Sequence, residues 1–209
     1  MGRVVGLHAD ALQVLTSWVA PTPAQEALRE RYVAHLRAHP DGVRRECRPD
    51  HLTASTLVLS ADRSQVLLTL HAKAQRWFQL GGHCEDGDAT LAGAALREAT
   101  EESGLHDLVL TAAPVHLDEH VVPFCGGPDA TGAPVHHLDV RYVALAPSDA
   151  AHAISSESLD LRWWPVDALP DPDLAELVEH ALAAPLPGAA LPQSTSGGPT
   201  SVAADQPSR

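Results

Sequence analysis

The stretch from Asp88 to Leu105 constrains this chain more than any other. Residues 89–103 have helical periodicity, Asp88 is placed to cap the first turn, and Gly104 can end the helix in the left-handed conformation. At 3.6 residues per turn, Glu98, Glu101 and Glu102 project from one side. Ala94, a turn earlier, leaves that side open, while Ala92, Leu96 and Ala99 face the opposite way, toward a sheet. Like charges at this spacing oppose helix formation by about 0.2–0.5 kcal/mol per pair, and Arg97, within reach of Glu101, offsets only part of that. A bound cation reverses the sign, and compact carboxylate oxygens suit Mg²⁺ or Mn²⁺. The ordinary alternative for such a charge run is a solvated acidic face.

Charge narrows the partners. With 14 basic and 27 acidic side chains the formal net charge is −13. Duplex nucleic acid is excluded as a partner on this ground, because its affinity comes from cations that neutralise phosphates. An anionic small molecule bound by so acidic a chain needs positive charge from elsewhere, which again points to a metal. Apolar residues form 44% of the chain, enough for a core. No stretch is long enough to cross a membrane, and the N-terminus lacks a signal-peptide pattern. Cys47, Cys84 and Cys125 are odd in number and form no metal-type pairs, so a reduced, cytoplasmic protein is expected.

Three regions follow from the pattern: a helical extension over 1–50, a main domain over 51–184 and a disordered tail over 185–209 rich in Pro, Gly, Ser and Ala. The extension reads as two helices. Residues 8–19 place Leu12, Leu15 and Val19 on one side, with Pro21 as the stop. Thr22, Pro23 and Gln25 then form a start with a capping box, followed by Leu28, Tyr32 and Leu36. The period changes at His51. Strands are predicted over 52–60 and 65–71, joined by a turn at 61–64, and over 108–110, 115–122, 138–145 and 159–164, with a last helix over 172–183. The sum is an α/β (α+β) domain: helices sandwiching a mixed sheet.

The pattern Gly82-x5-Asp88, then Arg97-Glu98-Ala99-x-Glu101-Glu102-x-Gly104-Leu105, resembles the Nudix box, G-x5-E-x7-R-E-U-x-E-E-x-G-U, where U is aliphatic. The second half matches position for position. The first half has Asp88 for a Glu and eight residues, not seven, before Arg97, which leaves the role of Asp88 open. The resemblance implies a Nudix-type fold and a Mg²⁺-dependent hydrolase that cleaves a diphosphate bond in a nucleoside diphosphate linked to another moiety. It implies that Glu98, Glu101, Glu102 and the Gly81 carbonyl ligate the metal and that Arg97 orients the glutamates. The general base would be a box glutamate or a loop glutamate, with Glu157 the loop candidate and Glu119 the second. Two other readings fit the same fold: a catalytically inactive nucleotide-sensing module, and a prenyl-diphosphate isomerase using a cysteine, for which Cys84 lacks the context.

Outside the box, His137, Asp139 and Arg141 alternate along one strand face while Leu138, Val140 and Tyr142 point the other way. With His120 they are read as a substrate-binding wall whose arginine pairs with phosphate, or else as the wet face of a half-buried strand. Some bacterial Nudix sequences resemble this one in carrying His-x-Asp-x-Arg here. His116 and His120 suggest zinc only weakly, since a strand does not converge that spacing. Trp77 and Phe78 are placed to frame a stacking wall for a base, and Trp163 and Trp164 point to opposite faces, one of them core. The N-terminal helices could cover a sheet edge, act as a lid or form a homodimer contact.

Overall fold

The computed structural model describes residues 6–123, 125, 134–148 and 158–186. It begins with the helical pair α1 (Leu7–Ser17) and α2 (Pro23–Ala38). Leu7, Ala11 and Leu15 are the buried stripe of α1; Val19 lies beyond its end and is 87% exposed, so it is not part of that stripe. Thr22 caps α2 by accepting from the Gln25 N–H at 3.2 Å, but the expected capping box is only half made. The Gln25 side chain leaves the helix terminus and hydrogen-bonds both backbone groups of Leu117, at 3.0 and 2.7 Å.

Leu117 belongs to β6, one of eight strands that form a single mixed sheet among the described residues: β1 (Asp50–Leu59), β2 (Gln65–His71), β3 (Trp77–Phe78), β4 (Leu80–His83), β5 (Val109–Leu110), β6 (His116–Val121), β7 (His136–Leu145) and β8 (Ser158–Pro165). The backbone of the sheet is a ten-residue parallel ladder between β1 and β7, from Asp50↔His136 to Leu59↔Leu145. On its other edge β1 changes partner along its length, taking β4 at Thr53–Thr56 and β2 at Val58–Leu59. β7 likewise takes β6 along its first half and β5 at its end. A strand whose neighbours change along its length forces the sheet to curl. β3 and β4 are additions to the predicted strands; β8 pairs β2.

Helices cover both faces. One face of β1 and β7 carries Leu52, Ala54, Leu138, Val140 and Tyr142, which pack on α1, α2 and α3 (Leu91–Ser103). The opposite face is apolar at one end only, where Leu57, Leu59 and Val143 meet α4 (Ala175–Ala183), preceded by a 3₁₀ turn at Pro172–Leu174. At the other end that face is polar and open. Trp163 and Trp164 do take opposite faces, yet neither is fully core: each is half-buried on a different apolar cluster. α2 covers the outer edge of β6, through Gln25, through the Tyr32 hydroxyl donating to Asp118 O at 2.7 Å, and through an Arg31–Glu119 ion pair.

Candidate active site

The capping residue of α3 is Thr90, whose hydroxyl accepts from Gly93 N–H at 3.0 Å; Asp88 is not the cap. Asp88 instead grips Arg97, with Nε and Nη2 donating at 3.1 and 3.0 Å to its two oxygens. The longer spacing explains the exchange, because it leaves room for a threonine start between Asp88 and the first turn. Burial opposes ionisation of Asp88, but the Arg97 guanidinium outweighs it and holds the carboxyl below its ordinary range. Gly104 ends the helix with φ 67°, as its position predicts.

Arg97 is the hub of the segment. Besides Asp88 it donates to Glu98 at 3.1 Å, to Glu101 at 3.0 Å and to the His83 carbonyl at 3.1 Å. This ties α3 to β4. The two glycines of β4 allow the approach. A Cβ on Gly82 would stand 2.8 Å from a Glu98 carboxylate oxygen, and one on Gly81 would stand 2.3 Å from Ser55 Cβ. The Gly81 N–H donates to Glu102 at 3.0 Å. Glu98 is half-buried, and burial raises its carboxyl above the ordinary range against the pull of Arg97. Ala94 is buried with Ala95 and Ala99, so the glutamate side begins at Glu98 and does not extend a turn further back.

Each box glutamate therefore has a different setting: Glu98 against Gly82, Glu102 on the Gly81 amide, Glu101 exposed on Arg97. Among the described residues, the groups whose ligand atoms already converge within 4.8 Å lie elsewhere. The donor chemistry still fits a divalent ion: Glu98 and Glu102 stand against the Gly81–Gly82 cradle, and Glu101 is on the same helix, paired with Arg97.

From Gly81, Gly82 and Glu102 a cleft of about 690 Å³ runs along the polar end of the sheet. Its floor follows from strand register. Thr53 of β1, Asp139 of β7 and Asp118 of β6 form one row; His51, His137 and His120 form the next. Asp139 is buried at 3% exposure and accepts from Thr53 (3.0 Å), Ser55 (2.7 Å), Gln79 (3.1 Å) and Arg141 Nε (2.9 Å). Arg141, 6% exposed, also reaches Asp118 from Nη2 at 2.8 Å. Burial opposes the Asp118 charge, but the His120 ring and Arg141 outweigh it and hold the carboxyl at about 2. This strand face is thus not a wet one: it is a braced, largely buried polar floor.

Trp77, Phe78 and His120 also line the cleft, with Arg76 bound to Asp171 and Asp173 at its rim. Glu119 points to the other side of β6, onto Arg31. Glu157 and the tail beyond residue 186 lie outside the described residues. Cys84 is buried, and burial pushes its thiol up to about 12.

No curated protein matches the sequence. Solved structures similar to it include the dihydroneopterin triphosphate pyrophosphohydrolase of E. coli, at 17% identity and TM-score 0.51, covering 66% of this chain and 97% of that one. Another is the NUDIX domain of Shewanella oneidensis NrtR complexed with ADP ribose, at 21% identity and TM-score 0.50, covering 67% and 91%. At these identities the likeness is one of fold. A family model described as the NUDIX domain matches residues 49–184, from the strand that carries Thr53 and Ser55 to the end of α4, and on that match the chain belongs to the Nudix family.

Proposed function

We propose that the protein hydrolyses a diphosphate bond in a nucleotide or nucleotide derivative, with Mg²⁺ (or Mn²⁺) held by Glu98, Glu101, Glu102 and the Gly81 carbonyl. The observation that carries this reading is the make-up of the cleft. Its lining holds Lys73, Arg76 and Arg141 against Glu102, Asp118, Asp139, Asp171 and Asp173, so a polyanion meets more negative than positive charge there. Only an added cation makes such a cleft hospitable to a diphosphate. When bound, the ion supplies Lewis-acid polarisation and a water of lowered pKa.

The chain's own residues do the rest. Arg97 positions the glutamates through its bonds to Asp88, Glu98 and Glu101. Arg141, held by Asp139 through Nε and by Asp118 through Nη2, binds a phosphate oxygen with the remaining edge of its guanidinium, with His120 and His137 along the same wall. Trp77 and Phe78 offer flat faces to a base. A box glutamate acts as the proton acceptor, with Glu157 as the loop alternative.

The test is a nucleotide panel, including ADP-ribose, nucleoside triphosphates and dinucleoside polyphosphates, assayed for phosphate-ended products with and without Mg²⁺. Cleavage that requires the metal, and that falls by orders of magnitude in Glu101→Gln and Glu102→Gln with the fold retained, is the expected result. Binding without turnover across the panel would point to a sensing module instead.

A further inference from the structure

Four side chains from distant parts of the sequence meet at the end of the cleft floor: His51 of β1, His83 of β4, His137 of β7 and Cys125 beyond β6. One ligand atom from each lies within 4.8 Å of all the others. Cys125 Sγ is 3.4 Å from His83 Nε2 and 3.8 Å from His51 Nε2. A tetrahedral ion with metal–nitrogen bonds of about 2.0–2.1 Å and a metal–sulfur bond of about 2.3 Å separates N from S by about 3.6 Å. The Cys125 sulfur already stands at nearly that distance from His51 and His83.

We propose that His51, His83, Cys125 and His137 form a structural zinc site. The His51 ring is oriented for it: Nδ1 is 3.3 Å from the Cys47 carbonyl, which can only accept, so Nδ1 carries the proton and Nε2 turns its lone pair to the cluster. An outer hydrogen bond of this kind is the usual support of a metal-bound imidazole. His137 Nε2 is buried with no hydrogen-bond partner, a cost that a metal bond removes. The rings stand 4.8–5.2 Å apart, centroid to centroid, around the shared centre.

Three imidazoles and a thiol suit Zn²⁺ and not Mg²⁺, which separates this site from the glutamates of α3. Four protein ligands fill a tetrahedron and leave no place for water or substrate. The role is therefore mechanical. The ion clips together β1, β4, β7 and the segment after β6, and His83 is the residue next to Gly82. It anchors the glycine strand on which the glutamates rest.

The full-length protein, purified with Zn²⁺ present and desalted through a weak chelator, should retain about one zinc per chain, as a closed four-ligand site holds its ion through such treatment. Cys125→Ser should lower zinc affinity by at least tenfold, about the loss seen even for outer-shell partners, while Glu101→Gln keeps the zinc. As a reading on the unaltered chain, Co²⁺ added to metal-free protein should give the thiolate-to-cobalt charge-transfer absorption and the intense visible bands of a tetrahedral site. A wild-type chain that retains no zinc and shows no thiolate–cobalt band overturns the proposal. So does zinc that is kept in Cys125→Ser and lost in Glu101→Gln, which would place it on α3.

Discussion

Arg97 and Arg141 differ in what surrounds them, and the difference sets what each can do. Arg97 serves four acceptors, on α3, on β4 and in the loop between them. Arg141 is anchored on two carboxylates at the cleft floor. Arg141→Ala should raise KM, with a loss of about 1.5–3 kcal/mol in kcat/KM, the value of a hydrogen bond to a charged group. Arg141→Lys should recover little, because the fork is gone. Steady-state kinetics on the substrate found in the panel measures both, and an unchanged KM would reduce Arg141 to a brace for Asp139. The alternation of His137, Asp139 and Arg141 was legible from the sequence, but their burial was not. Nothing local announces that Thr53, Ser55 and Gln79, from 60 to 86 residues away, converge on Asp139. Thr90 and Asp88 are both ordinary helix-start residues, and only the fold shows Asp88 facing Arg97.

At the scale of elements, long periodic segments were readable and short ones were not. α2, α3, β1 and β7 each repeat their pattern over ten residues or more. β3 and β4 have two and four residues, two of them glycines, and no alternation to detect. The strand under the glutamates is visible only once β1 is in place beside it. α2 shows the opposite case: its helix was evident, but its purpose is fixed by Gln25, which satisfies both backbone groups of Leu117 at the outer edge of β6. Gln25→Leu keeps helix and bulk but leaves both Leu117 groups without that partner, at a cost of about 1–3 kcal/mol for each buried group left unsatisfied. Urea unfolding should register this as a lower midpoint at unchanged slope, with kcat close to normal; a midpoint within error of wild type would mean that water replaces the amide.

The whole molecule is held by polar as well as apolar contacts, and its acid response should show it. His116 on β6 is buried near α4, and burial, with Arg141 nearby, depresses its pKa, while Glu176 and Asp118 oppose and His180 adds to the effect. Its unfolded form therefore binds protons first. Stability is fully present above about 6.5, its unfolded pKa, and declines as pH falls below that, with a slope of at most about 1.4 kcal/mol per pH unit. Asp118 adds a second decline: its folded carboxyl at about 2 lies below the unfolded value of 3.8, so its contribution fades between those two. Denaturation midpoints measured from pH 8 to 3 should fall from the first limb onward, and His116→Asn should flatten that limb; a curve unchanged by the substitution would remove His116 as its source. The parallel ladder of β1 and β7 has a further consequence, for synthesis. Thr53 and Asp139 are 86 residues apart, and no hairpin brings them together. A chain emerging from the ribosome completes α3, glutamates included, well before β7 exists. Until β7 arrives, one edge of the apolar β1 has no strand to pair with, so the nascent protein passes through an interval in which it is open to mispairing with other chains.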